Sequence, residues 1–370
     1  MPGLNTLLIH AGEPRPRLEG AINVPIFQSV NYEGGAGDYD AIRYLRLNNT
    51  PNHLALHAKL AALEGTEAAL VTASGMAAIS TAFLTTLRSG DHLLIQDCVY
   101  GGTHSLVVEE LAELGISHTR VDLSRPESWA EALRSETRAF YAESLTNPLL
   151  QIGRHAEVVA FCRQHELVSM IDNTLATPVN FRPAELGYDL VLHSATKYLN
   201  GHSDIAAGVV LGRAQHVDKI RHRLNHLGGC LDPNSCFLLQ RGLKTLALRV
   251  RYQNESATRL AEWLRRRPEV RAVNYPQGSH PGFGGFGGVL SFELASAEAA
   301  QQLLERVRIP LVAASLGGVE SLITRPCLTS HSGMTAEERA RAGIGEGLVR
   351  YSVGLEEVED LIADLEAALD

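Results

Sequence analysis

The run AALVTASGMAAISTAFLTTL, residues 68–87, changes texture in its middle. Its opening AALVT is short and apolar, as suits a strand buried on both faces. From Gly75 onward apolar side chains recur at three- and four-residue intervals, the period of a helix. Ser74, Gly75 and Met76 stand at the changeover. A helix that opens there leaves backbone N–H groups free to hold an anion.

The same alternation runs outward in both directions. The helical pattern NHLALHAKLAALEG (52–65) precedes it, and HLLIQD (92–97), HSLVVEELAELG (104–115), SHTRVDL (117–123), SWAEALRS (128–135), RAFYAES (138–144), HAEVVAFCRQHE (155–166), LVSMID (167–172), DLVLHS (189–194) and AAGVVLG (206–212) follow. Strands separated by helices of this length predict βαβ units, and their near-continuous apolar character predicts a mostly parallel sheet covered on both faces. Beyond residue 230 the texture shifts to long helical patterns, 235–267 and 296–308, punctuated by the strands VLSFEL (289–294) and VRYSVGL (349–355). The chain therefore divides into an extended N-terminal arm (1–51) rich in turn formers and with little periodic signal, an α/β domain (52–230) and a smaller α+β domain (231–370).

With 370 residues and 45% hydrophobic composition, the chain is long enough to bury a large core. Its formal net charge of −9 argues against a nucleic-acid or membrane-surface binder, which would carry a basic patch. No stretch has the length of an apolar membrane span, and the N-terminus lacks a basic start followed by an apolar core, so the cytoplasm is the expected compartment. The five cysteines are scattered and form no C-x-x-C, so reduced thiols are expected rather than a disulfide framework or zinc site. His53 and His57 have helical i, i+4 spacing without the glutamate of H-E-x-x-H; they are read as helix-surface residues, and no metal is expected.

Two motifs are decoys. GFGGFG (282–287) satisfies G-x-G-x-x-G, but it follows a loop and precedes a strand, whereas the dinucleotide fingerprint follows a strand and opens a helix. Ser194 to Lys197 satisfies S-x-x-K, yet the S-D-N and K-T-G partners of the acylating serine enzymes are missing.

Lys197 thus needs another explanation. It lies just past the strand DLVLHS, and in an open α/β sheet ligands sit at the carboxyl ends of strands. The polar residues at those ends form one set: Ser74, Gly75 and Met76; Tyr100, whose ring can lie over a flat ligand; Asp172; and Ser194, Thr196 and Lys197. A lysine able to form a Schiff base, an aspartate to pair with a pyridinium nitrogen and a phosphate cradle are together what pyridoxal 5'-phosphate requires.

At this point the stretches SATKYLNGHSD (194–204), TASGMAA (72–78), DCVYGGTH (97–104), SLTNPLLQI (144–152), IDNT (171–174), RGLKTLALR (241–249), ASLGGVESLITRP (314–326) and VRYSVGLE (349–356) are similar to those of the trans-sulfuration (Cys/Met metabolism) family of pyridoxal-phosphate enzymes. That family includes cystathionine γ-synthases, cystathionine β- and γ-lyases, methionine γ-lyases and O-acylhomoserine sulfhydrylases, and the resemblance covers essentially the whole chain. It implies the aspartate-aminotransferase-like fold (fold type I) and a homotetramer of two dimers with shared active sites. It assigns Lys197 the Schiff base, Asp172 the pyridine nitrogen, and Tyr100 stacking with a possible acid/base role. Ser194, Thr196 and the amides of Gly75 and Met76 would hold the phosphate, joined by Tyr44 and Arg46 from the neighbouring subunit's arm. Arg350 would bind the substrate carboxylate, with Ser315 and Asn147 nearby.

The chain departs from the family pattern in places. YLRLNNTPN (44–52) keeps the tyrosine and arginine of the family's arm loop and changes the rest. Ala314 stands where many cystathionine-processing members carry an acidic residue, Gly102 where methionine γ-lyases typically carry cysteine, and the segment before Val289 is shorter than usual. ASLGG also lacks the aromatic residue expected of β-lyases. The expected chemistry is therefore γ-elimination or γ-replacement on a sulfur-containing or O-acylated homoserine-type amino acid. β-Elimination, O-acylhomoserine sulfhydrylation and action on another amino acid remain the alternatives.

Overall fold

The structure, a computed structural model, describes residues 2–34, 37 and 41–370. Its larger sheet has seven strands: β1 (Ala68–Thr72), β2 (His92–Gln96), β3 (Ser117–Val121), β4 (Thr137–Glu143), β5 (Val168–Asp172), β6 (Leu190–Ser194) and β7 (Gly208–Gly212). Their order is β1-β7-β6-β5-β4-β2-β3. Every pair from β6 to β3 is parallel, and β7 alone runs against both its neighbours, β1 and β6. This is the mostly parallel α/β sheet expected from the alternation. Apolar side chains leave the strands on both faces. Val71, Phe140 and Val191 pack on one side with Leu56 and Leu60, and Ile95, Met170 and Leu192 pack on the other with Ile79 and Phe83.

The smaller sheet runs β10-β11-β12-β9-β8, with β8 (Ala272–Asn274), β9 (Val289–Glu293), β10 (Leu311–Val312), β11 (Leu322–Thr324) and β12 (Leu348–Ser352). Its core joins Leu290, Phe292 and Val349 to Leu260, Leu303 and Leu361 from three helices. The long pattern at 235–267 is two helices, Pro233–Leu243 and Leu246–Leu264. The first of them packs into the core of the larger sheet through Cys236, Leu239 and Leu243. Among the described residues no helix is long and apolar enough to cross a membrane.

Two local expectations are corrected. The arm is not without regular structure, because Leu4–His10 forms a helix, α1, whose Leu8 is buried against Leu56 and Leu60. Seven residues are too few for a periodic signal. The helix is instead fixed by tertiary contacts: the buried Lys59 donates to the carbonyls of Leu8 at 2.9 Å and Ile9 at 3.3 Å, which the helix end leaves unpaired. His53 and His57 are not on the surface either; both are buried within α2 (Pro51–Glu64). His57 Nε2 accepts the Val71 N–H at 3.0 Å, and His53 bonds Leu231 O and Thr50 Oγ1 at 2.8 Å each. Burial lowers His53 to about 4 and His57 well below the ordinary imidazole value, so both are neutral links between α2 and its neighbours.

Candidate active site

Parallel strands bring their carboxyl ends to one edge, and there a cavity of about 460 Å³ opens between the two sheets. After β1, the helix α3 (Gly75–Thr86) begins at once. Ser74 Oγ accepts the Ala77 N–H at 3.1 Å, which leaves the N–H groups of Gly75 and Met76 facing the cavity they line. A Cβ on Gly75 would lie 2.8 Å from the Ser194 Cβ, so glycine is what allows α3 to start against the end of β6. The gap thus formed, edged by Ser194 and Thr196, is suited to a phosphate.

Lys197 follows in a turn closed by its own N–H to Ser194 O at 3.2 Å. Thr196 Oγ1 fastens the turn by exchanging hydrogen bonds with the backbone of Ala207. Lys197 Nζ donates to Ser315 Oγ at 2.7 Å. Burial, and then the charge of Arg350, bring the amine down to about 8, so a substantial neutral fraction exists in mildly alkaline solution. Ser315 holds this position with φ at 90°, unusual for a residue bearing a side chain, in the loop between β10 and β11.

Arg350, from the middle of β12, reaches the same cavity. Its Nη2 donates to Ser315 O at 2.8 Å and its Nη1 to Asn147 Oδ1 at 3.2 Å, while Nε has no partner. Burial lowers the guanidinium to about 10. Its partners are neutral, and no carboxylate of the described residues lies within ion-pair distance of it. A buried guanidinium in that condition suits an incoming carboxylate.

Asp172 ends β5 and lines the cavity, its Oδ1 accepting the Thr174 N–H at 2.9 Å. Burial raises its carboxyl. It makes no ion pair with any described residue, so a cation brought by a ligand would complete it. Tyr100 stands at the mouth, 40% exposed. The sequence-derived set of Gly75, Met76, Tyr100, Asn147, Asp172, Ser194, Thr196, Lys197, Ser315 and Arg350 is thus gathered on one cavity.

Tyr44 and Arg46 are not part of it. Arg46 Nη1 donates to Asn225 O at 2.6 Å, and its guanidinium lies 5.8 Å from the centre of the Tyr44 ring. Glu143 at the end of β4, and Thr329 and Ser330 at the rim, line the cavity without having been singled out from sequence. Glu143 could have been found as an acidic residue closing an apolar strand, one strand over from Asp172.

A nucleophilic lysine, a half-buried carboxylate without an ion-pair partner among the described residues and a helix start with a glycine-formed cradle fit pyridoxal phosphate in all three of its polar demands. The class defined is a lysine-anchored pyridoxal-phosphate enzyme acting on an amino acid. Comparison with known proteins agrees. The chain belongs to the Cys/Met metabolism PLP-dependent enzyme family, whose description matches residues 5–370. It is 42% identical to cystathionine beta-lyase MetC of Bacillus subtilis over 99% of this chain and 96% of that one. It is 40% identical to cystathionine gamma-lyase of the same organism, over 99% and 98%. Among solved structures, the cystathionine gamma synthase of Xanthomonas oryzae pv. oryzae in complex with aminoacrylate and cysteine superposes with a TM-score of 0.95 at 36% identity, covering 100% of this chain and 98% of that one. The fold is therefore fold type I, and the cofactor is pyridoxal phosphate.

Proposed function

We propose that the enzyme removes a thiol from the γ carbon of a homoserine-type amino acid, converting it with water to the thiol, 2-oxobutanoate and ammonium. The observation that carries this reading is the Lys197–Ser315–Arg350 chain of hydrogen bonds, which fixes an amine and a carboxylate receptor at either side of one serine. Arg350 and Asn147 orient the substrate carboxylate, so that the α carbon is presented to Lys197 Nζ. Pyridoxal phosphate, when bound, supplies the sink for the electron pair left at that carbon. Asp172 would hold the cofactor's pyridine nitrogen proton, and Gly75, Met76, Ser194 and Thr196 would hold its phosphate. Lys197 takes the α proton; γ-elimination needs a second proton taken from the β carbon, and the Ser315 hydroxyl gives the amine a resting acceptor between the two positions. Tyr100 covers the open side and excludes water.

The relatives include both β- and γ-lyases at similar identity, so the position of cleavage rests on the cavity. Its Ala313–Gly318 loop presents Ala314, with neither an aromatic nor a charged side chain to grip a particular leaving group. Incubation with cystathionine, homocysteine, cysteine, and an O-acylhomoserine plus a thiol tests the reading. The expected keto acid is 2-oxobutanoate, with kcat/KM values for the γ-substituted members within roughly tenfold of one another. Pyruvate as the dominant product across the panel would reassign the enzyme to β-elimination.

The proposed assembly is a cytoplasmic homotetramer in which Tyr44 and Arg46 complete the phosphate site of a neighbouring subunit. Support comes from the arm itself, where Ile22, Ile26 and Val30 are exposed at 74%, 43% and 48%. The five free cysteines fit a reducing compartment. Mixing inactive Arg46→Ala and inactive Lys197→Ala proteins under exchange should restore activity to roughly a quarter of wild type, since each two-fold hybrid has one intact site. Demonstrated exchange with no regained turnover would exclude a shared site.

A further inference from the structure

We propose that Glu143 works as a protonated carboxylic acid beside Asp172, positioning Tyr100 and leaving Asp172 the single anionic carboxylate lining the cavity. The inference rests on the reading of Asp172 and Tyr100 given above.

Glu143 and Asp172 are register partners on the parallel strands β4 and β5, so their side chains leave the same face of the sheet toward the same cavity. Glu143 is 4% exposed. Its Oε1 accepts the backbone N–H of Tyr100 at 2.6 Å, and its own N–H donates to Gln96 Oε1 on β2 at 2.8 Å. The carboxyl thus ties the end of β4 to the start of the helix α4 (Gly101–Ser105), where Tyr100 leaves the loop.

The titratable groups next to Glu143 are Asp172, Tyr141 on β4, and Cys98 in the loop after β2, with Asp97 beside Cys98. Lys197 and Arg350 line the same cavity, but no lysine, arginine or histidine of the described residues lies within ion-pair distance of Glu143. Two neighbouring carboxylates in such a site cannot both stay ionised. Burial first, then the charge of Asp172, push Glu143 well above the usual carboxylate range, with the amides of Tyr100 and Asn147 only partly offsetting them. Asp172 is better supported as the anion. It takes hydrogen bonds from Thr174 and feels His193, which lies 3.4 Å from Glu64. A cationic ligand at Asp172 strengthens that division.

The two substitutions at this position separate the roles. Glu143→Gln keeps an oxygen for the Tyr100 N–H and a neutral side chain that cannot ionise, whereas Glu143→Ala leaves the amide without its acceptor. In the holoenzyme, Glu143→Gln is expected to hold kcat/KM within about threefold of wild type, and Glu143→Ala to lose about 10- to 100-fold as Tyr100 loses its anchor. The direct readout is the infrared difference spectrum of wild type against Glu143→Gln at neutral pH. It should contain the carbonyl stretch of a protonated carboxylic acid that the variant lacks.

A raised carboxyl stabilises the fold fully below its unfolded pKa and loses that contribution as pH rises through the folded value. The Tm of Glu143→Gln should therefore gain on wild type from about pH 4 toward pH 8. Absence of the acid band, or equal kinetic losses in both variants, overturns the proposal. Wild-type protein that takes up no pyridoxal phosphate would instead overturn the function on which it rests.

Discussion

Lys197→Ala is expected to abolish covalent capture of pyridoxal phosphate and to lower kcat/KM by at least about 10³-fold, the scale set by losing a positioned proton-transfer group. Lys197 supplies the cavity's one lysine amine among the described residues, so no other side chain there can replace both its nucleophilicity and its proton transfer. Alanine leaves Ser315 Oγ without its donor, a small change next to the loss of the amine. Because burial and Arg350 hold the amine near 8, capture by apoenzyme should rise with pH and level off above about that value, as the neutral form becomes dominant. Lys197→Arg separates charge from chemistry: it should keep the fold and noncovalent cofactor binding yet remain as inactive as the alanine variant. Stopped-flow absorbance for capture and steady-state kinetics for turnover measure both.

Arg350→Ala should lower kcat/KM by about 10²- to 10³-fold, chiefly through KM, because it removes the partner of a desolvated carboxylate. Cofactor affinity, titrated by absorbance, should stay within a few-fold of wild type, since Arg350 bonds Ser315 and Asn147 and lies apart from the phosphate cradle. Arg350→Lys should recover little, as one ammonium cannot reproduce two parallel N–H donors while also bridging Ser315 O and Asn147 Oδ1. Equal losses in cofactor affinity and KM would place Arg350 with the cofactor rather than the substrate.

Much of this was legible in the sequence because a parallel sheet converts strand ends into a shared edge. Once AALVT, LVSMI and DLVLH are read as strands, Ser74, Asp172 and Lys197 converge whatever the loops do. Arg350 is harder, for it sits inside a strand and reaches the cavity only because the second sheet packs there; family resemblance named it, and periodicity could not. Glu143 was hidden differently. Its pairing with Asp172 follows from β4 lying next to β5, a matter of strand order that local patterns do not contain. His53 and His57 illustrate the opposite failure: i, i+4 spacing gives one helical face, but α2 is covered on several sides, so that face meets Val71 and Leu231 instead of water. Helix α1 depends on Lys59, fifty-one residues from Leu8, and no short window can show that dependence.

The most direct test is borohydride reduction of the yellow wild-type holoenzyme, followed by digestion and mass mapping. The pyridoxyl label is expected on the peptide carrying Lys197 and on no other. A label on a different lysine, or a chain that reduces without becoming labelled, would contradict the assignment.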